Sequence, residues 1–204
     1  MLRSGLGAGV IVLAALIGFG ADPALAATAI PKGFLLTEAD VTAPQSADDR
    51  NEMWWKVSNR LSQPLEVNPC GSKTYKDGRT SMRTISLNTS APSSSSEQLV
   101  LYRSADAAKT ALAKIRSDVR RCAKGKDGYR YTYKPLRVGD EAVWVKYSKQ
   151  QGKSELYGAF AAVARRGKAL ILYTRDGGGY VSGSLTGPAK TMAKKVCGLP
   201  RVCA

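Results

Sequence analysis

The stretch LYGAFAAVARRGKALILYT, Leu156 to Thr174, decides the fold. Leu156 to Arg165 is apolar at odd and even positions alike, as in a central strand covered on both faces. Arg166-Gly167-Lys168 supplies a hairpin turn, and Ala169 to Thr174 returns as a second apolar strand. Upstream, Glu141 to Tyr147 places Val143, Val145 and Tyr147 on one face, between turns at Gly139-Asp140 and Gly152-Lys153. Tyr129 to Lys134 alternates aromatic and polar side chains with a period of two.

Further out the period changes. Ser104 reads as an N-cap, and Ala108, Leu112, Ile115, Val119 and Cys122 recur every three or four residues, so a helix is expected up to a stop at Gly125. Lys109, Lys114, Arg116 and Arg120 fall on its water-facing side. Before it, Thr80 to Asn88 and Glu97 to Tyr102 read as strands, joined by a flexible Ser- and Pro-rich loop from Thr89 to Ser96. Thr37 reads as the cap of a short helix with Glu38 and Asp40 in its first turn. Residues 27–35 are expected to form a loose arm and 44–53 a polar loop or single turn. Gly177-Gly178-Gly179 reads as a mobile loop, and Pro188 opens a last helix with Met192 and Val196 inward. Strand, strand, helix, four strands, helix is an α+β order: a twisted antiparallel sheet with helices packed on it.

The chain opens as an export signal does. Arg3 precedes an apolar run from Gly5 to Gly20, and Ala24-Leu25-Ala26 matches the small-x-small pattern of a cleavage site, so residues 1–26 are read as a cleaved leader. The densest apolar part, Val10 to Phe19, is short of the roughly 20 residues a spanning helix needs. The remaining 178 of 204 residues, 27–204, suit one secreted domain with no transmembrane segment. The leader takes Arg3 and Asp22 with it, so the mature net charge stays at +15.

Four cysteines in an exported chain read as two disulfides. Cys70, Cys122, Cys197 and Cys203 allow three connectivities. Cys197–Cys203 is favoured because Gly198-Leu199-Pro200 can turn the chain back, which leaves Cys70–Cys122. No Cys-x-x-Cys spacing and no histidine occurs, so no zinc site or other metal is expected.

In their order along the chain, Leu35-Leu36-Thr37-Glu38-Ala39-Asp40, the Ser104–Cys122 helix, Val138-Gly139-Asp140-Glu141-Ala142 and Ala164-Arg165-Arg166-Gly167-Lys168 carry a family resemblance. The sequence resembles the actinobacterial sensor domain-containing proteins, similar to the PknH-like extracellular sensor domains. That resemblance implies a twisted antiparallel sheet flanked by helices, two disulfides, and a cleft for an unidentified ligand. The ligand-binding part alone carries over, because the 204 residues hold no kinase domain.

The absence of histidine removes Ser-His-Asp and Cys-His catalysis. Asp48-Asp49-Glu52 and Asp140-Glu141 are the carboxylate pairs on which a glycosidase-like hydrolase would draw, but a polar loop and a turn explain them better. The expectation is therefore no catalytic residue, no cofactor, and an exported, cell-envelope ligand-binding or sensor-like domain. A secreted hydrolase and a protein-protein accessory module of an envelope complex are the alternatives. The net charge either maintains solubility with no dedicated partner or serves an anionic or amphipathic envelope ligand, a lipid headgroup or wall polymer, ahead of less accessible nucleic acid. Tyr129, Tyr131 and Tyr133 share one face of a strand beside Arg130 and Lys134, and either bind a ligand or pack beneath the helix. Trp54 and Trp55 cannot both point inward from an extended chain, and Trp144 opposes Val143 and Val145. With Arg165 and Arg166, these six aromatic residues are the candidate binding set.

Overall fold

Among the described residues the chain forms seven strands: β1 (Met53–Ser58), β2 (Arg79–Thr89), β3 (Ser93–Tyr102), β4 (Tyr129–Leu136), β5 (Glu141–Gln151), β6 (Ser154–Arg166) and β7 (Ala169–Gly177). They form one antiparallel sheet in the order β1-β2-β3-β7-β6-β5-β4. Among the described residues three helices cover it: α1 (Leu36–Val41), α2 (Ala105–Arg121) and α3 (Thr186–Lys195), the last running into a 3-10 turn at Val196–Gly198. The computed structural model describes residues 29–41, 53–71, 77–90, 93–123, 129–151, 154–177 and 184–203, and within them the side chains of all but 129, 150, 151 and 154–157. The leader and the cluster Asp48-Asp49-Glu52 lie outside the described residues.

The topology is two meanders joined along one seam. β1, β2 and β3 pair in sequence order, as do β4, β5, β6 and β7, and the β3–β7 pairing joins the two sets. α2 is the connection between the halves.

Both sheet faces carry a core, as the apolar character of β6 and β7 requires. On one face Leu112, Ile115 and Val119 of α2 pack on Val100, Val143, Val145, Val163, Leu170 and Leu172. On the other, α1, α3 and the 3-10 turn deliver Val41, Met192 and Val196 to Leu99, Ala162, Ala164 and Ile171. Met192 and Val196 are fully buried, each stabilising by about 1.5–3 kcal/mol. Ser104 caps α2 as expected, its hydroxyl accepting from the Ala107 N–H at 3.1 Å. Both expected disulfides form: Cys70–Cys122 and Cys197–Cys203, with Cα–Cα distances of 5.5 and 5.1 Å.

Four local expectations are corrected. A strand, β1, covers Met53–Ser58 at the sheet edge, where the sequence showed only an abrupt Trp-Trp pair. Ser93 to Ser96 are not loop but the start of β3, where the Ser94 and Ser96 hydroxyls find partners on β7. Ser94 donates to the Asp176 carboxylate, and Ser96 and Thr174 hydroxyls lie 2.6 Å apart. The described part of the arm is not loose, since Ile30 and Leu35 are buried in the core. Thr37 does not cap α1; the Glu97 carboxylate of β3 does, accepting from the Leu36 and Thr37 N–H groups at 3.0 and 2.7 Å.

At the β6–β7 turn, Gly167 has φ +53°, and a Cβ there would stand 1.9 Å from the Val202 carbonyl oxygen. That carbonyl accepts from the Lys168 N–H at 2.8 Å, so the C-terminal tail crosses directly over the turn.

Candidate functional site

The β4–β5 connection meets α3 and the end of β6 in a cleft of about 590 Å³. Its geometry begins with a carboxylate lock. Asp140 accepts from Arg166 at 2.7 Å, from Arg165 at 2.9 Å and from the Gly167 N–H at 2.8 Å. Partial burial raises the Asp140 pKa, but the Gly167 N–H and the two guanidiniums outweigh it and hold the carboxyl below its ordinary range. Glu141 is engaged by Arg116 at 3.0 Å and Arg165 at 3.5 Å. Gly139 makes the close approach feasible, with φ +62° and no room for a Cβ beside the Arg165 carbonyl.

The lock neutralises the acidic side of the cleft and leaves its basic side unmatched. Arg137, Lys190 and Lys194 line it with no ion-pair partner among the described residues, and all three are exposed. Lys190 and Lys194 are one helical turn apart, so α3 presents both ammonium groups on the same side. Leu136, Val138 and Ala193 supply an apolar floor. An apolar floor ringed by unmatched cations suits an anion attached to an apolar body.

A second polar surface lies on the α2 face. The register aligns one residue from every strand in a row: Trp54, Asn88, Ser94, Asp176, Ala159, Tyr147 and Tyr131. Above it, the Glu66 N–H donates to the Gln98 side-chain oxygen at 3.0 Å, and Gln98 donates to the Pro64 carbonyl and the Thr84 hydroxyl. Burial pushes the Glu66 carboxyl above its usual value, opposed by hydrogen bonds from Ser96 and Gln63 and reinforced by the charge of Asp176.

The sequence-selected residues do not converge. Arg166 lines the cleft and Arg165 sits behind it in the lock. Trp54 and Trp55 are exposed on opposite faces of β1, at the far edge of the sheet from β4. Tyr131 and Tyr133 pack against the α2 core, Tyr131 stacking on Tyr147 at 5.4 Å and the Tyr133 hydroxyl accepting from Arg120 at 3.1 Å. Packing beneath the helix is therefore what those two tyrosines do; the side chain of 129 lies outside the described set. Trp144 faces the other side, 5.6 Å from Phe160. The expected carboxylate pair Asp140-Glu141 is held by three arginines. Arg137, Lys190 and Lys194 were not in the candidate binding set, although the i, i+4 spacing of the two lysines on one helix was a visible signal.

No family model matches the sequence, and no curated protein matches it. Among solved structures, the extracellular domain of PknH from Mycobacterium tuberculosis is similar, at 14% identity and a TM-score of 0.49, over 80% of this chain and 91% of that one. The α+β class follows from the sheet, helices and disulfides of this chain itself.

Proposed function

We propose that the protein is a non-catalytic, exported, sensor-like domain that binds an anionic, amphipathic envelope ligand in the cleft between the β4–β5 connection and α3. The carrying observation is the mismatch of charge there: Arg137, Lys190 and Lys194 have no ion-pair partner among the described residues, while the neighbouring carboxylates are saturated by arginine. Location outside the cytoplasm is supported by the two disulfides and the leader-like start of the sequence. Among the described residues no helix is long and apolar enough to cross a membrane. The net charge of +15 draws the chain toward anionic surfaces, and the cleft gives that attraction a local address.

The test is co-sedimentation with phosphatidylglycerol-containing vesicles, against phosphatidylcholine vesicles, as salt is raised. Binding confined to the anionic vesicles is expected, weakening with salt. The triple variant Arg137→Gln, Lys190→Gln, Lys194→Gln should lose most of it while melting as the parent does. Undiminished binding by that variant would show that diffuse charge, not the cleft, is responsible.

One observation favours the accessory-module reading. Trp54 and Trp55 stand 54% and 37% exposed on an edge strand, where large aromatic residues are costly to leave in water. Trp54→Ser with Trp55→Ser should abolish capture of an envelope partner if that reading holds, and leave vesicle binding untouched.

A further inference from the structure

Outside the cleft, the molecule carries a hollow and a bare edge. The hollow lies under α2, about 120 Å³ in volume, with Leu65, Val67, Ala111 and Ile115 on its apolar wall. The charges beside it cancel, Arg79 on Asp77 and both Lys114 and Arg121 on Asp118, so nothing there selects a ligand. The edge does select. The sheet ends in β4 on one side and in β1 on the other. β4 is guarded. The Tyr131 N–H donates outward to the Ala123 carbonyl at 3.0 Å, and Pro135, four residues on and so turned to the same side, has no N–H to offer. Arg130 and Lys134 add exposed charge. β1 has no such guard: its ladder runs to β2 alone, and among the described residues no backbone group on its outer side has a partner.

A bare edge accepts an extended strand, and β1 is itself a strand that fits. Trp54, Lys56 and Ser58 share the α2 face of the sheet, while Met53, Trp55 and Val57 share the other. Trp54, Trp55 and Lys56 are exposed, and Lys56 has no ion-pair partner among the described residues. A second copy brought up antiparallel by a two-fold axis perpendicular to the sheet sets only residues of the same face opposite one another. Two registers are then centred on the strand. One passes the axis beside Lys56 and sets the two ammonium groups opposite each other, which is destabilising. The other passes it beside Trp55. There Trp55 meets its own copy, Met53 meets Val57, and Trp54 meets Lys56 twice over, indole face to ammonium. β1 is complementary to itself in that register and repelled in its neighbour.

We infer that β1 is an interface for a second copy of this chain, the two strands pairing antiparallel about Trp55 and joining two seven-stranded sheets into one. Two-fold pairs of this kind are the commonest assembly of soluble chains. The net charge of +15 on each copy opposes the contact, and salt relieves that opposition. The interface is independent of the anion-binding cleft, and it covers the exposed tryptophans without a foreign protein.

The test is sedimentation equilibrium of the full mature chain up to millimolar concentration, at low and at high salt. A monomer–dimer equilibrium that tightens with salt is expected, opposite in sign to vesicle binding by the cleft. Lys56→Gln should weaken the dimer about fivefold to thirtyfold, the worth of two exposed cation–π contacts. Loss of positive charge alone would tighten it. Trp55→Cys should cross-link to its own copy under mild oxidation, because directly opposed Cα atoms lie about 4.5–5.5 Å apart, within disulfide reach. Val57→Cys, which faces Met53, should not; peptide mapping confirms in each variant that the native disulfides are kept. A monomer at every concentration and salt overturns the interface. A dimer that Lys56→Gln leaves unchanged or tightens, or one that cross-links through Val57→Cys instead, overturns the pairing about Trp55.

Discussion

Glu97 and Tyr173 face each other as a registered pair across β3 and β7, and the phenol donates to the carboxylate at 2.6 Å. The same carboxylate caps α1, so one side chain in the sheet fixes both the seam and the N-terminal helix. Removing it leaves three donors without their acceptor. Glu97→Ala should lower stability by about 3 kcal/mol, and Tyr173→Phe by about 1 kcal/mol, read from denaturant unfolding. Equal losses from the two would mean that the helix cap contributes nothing.

Acid should act on α1 through a buried ion pair. Arg83 engages Glu38 through Nε at 2.7 Å and through a second, shorter bond from Nη2, and donates from Nη1 to Asn59 at 2.8 Å. The hydrogen bond from Arg83 outweighs burial and holds the Glu38 pKa below its usual 4.5. A depressed carboxyl stabilises the fold above its unfolded value, and that stabilisation fades as pH falls through the folded one. Thermal melts should therefore drop below about pH 4.5, and Glu38→Gln should flatten part of that drop.

Glu66 should behave with the opposite sign. Its raised carboxyl favours folding at low pH, and that contribution is lost as pH rises through the folded value. Glu66→Gln is expected to melt higher than the parent at neutral pH, by an amount that disappears near pH 4. A lower melting temperature at both pH values would show that the charge is satisfied where it sits.

The β6–β7 turn tolerates no side chain. Gly167→Ala combines a positive φ with a Cβ driven into the Val202 carbonyl, and should cost more than about 2 kcal/mol. Limited trypsin digestion should then cut after Arg201 ahead of the sheet, the tail coming free only once Cys197–Cys203 is reduced.

Loop length separates the two disulfides. Cys70–Cys122 closes 52 residues and Cys197–Cys203 closes 6, so replacing each pair by alanine should cost about 4 and about 2 kcal/mol. Comparable losses would place the contribution in the folded state rather than in the unfolded chain.

The sheet was legible wherever burial alternates or is complete. β4 through β7 and α2 follow directly from period two, period 3.6 and turn glycines. β1 was not legible, because a strand exposed on both faces at an edge leaves no alternation to read. Ser93 to Ser96 resembled a loop because serine is common in turns; their partners, Thr174 and Asp176, lie some 80 residues away and are invisible locally. The cleft was half legible. Arg166 stood out beside its turn, but Arg137 and Lys190 meet through tertiary packing of segments that no local pattern connects. Tyr131 and Tyr133 of β4 are half-buried against α2, and that packing was not legible for the same reason: whether a helix lies above a strand is not written in the strand.

The two-meander topology has a consequence for how the cleft beside α3 and the hollow under α2 relate. Every residue lining the α3 cleft belongs to the C-terminal meander and its helix, and every residue lining the cavity under α2 belongs to the N-terminal meander or to α2 itself. The β3–β7 seam is the one strand pairing that links them. The two hollows lie on opposite faces of the sheet, and besides that seam α2 bridges them, since its Arg116 holds Glu141 at the cleft. Any thermodynamic coupling across the molecule therefore has two routes, one through the seam and one through the α2 ion pair.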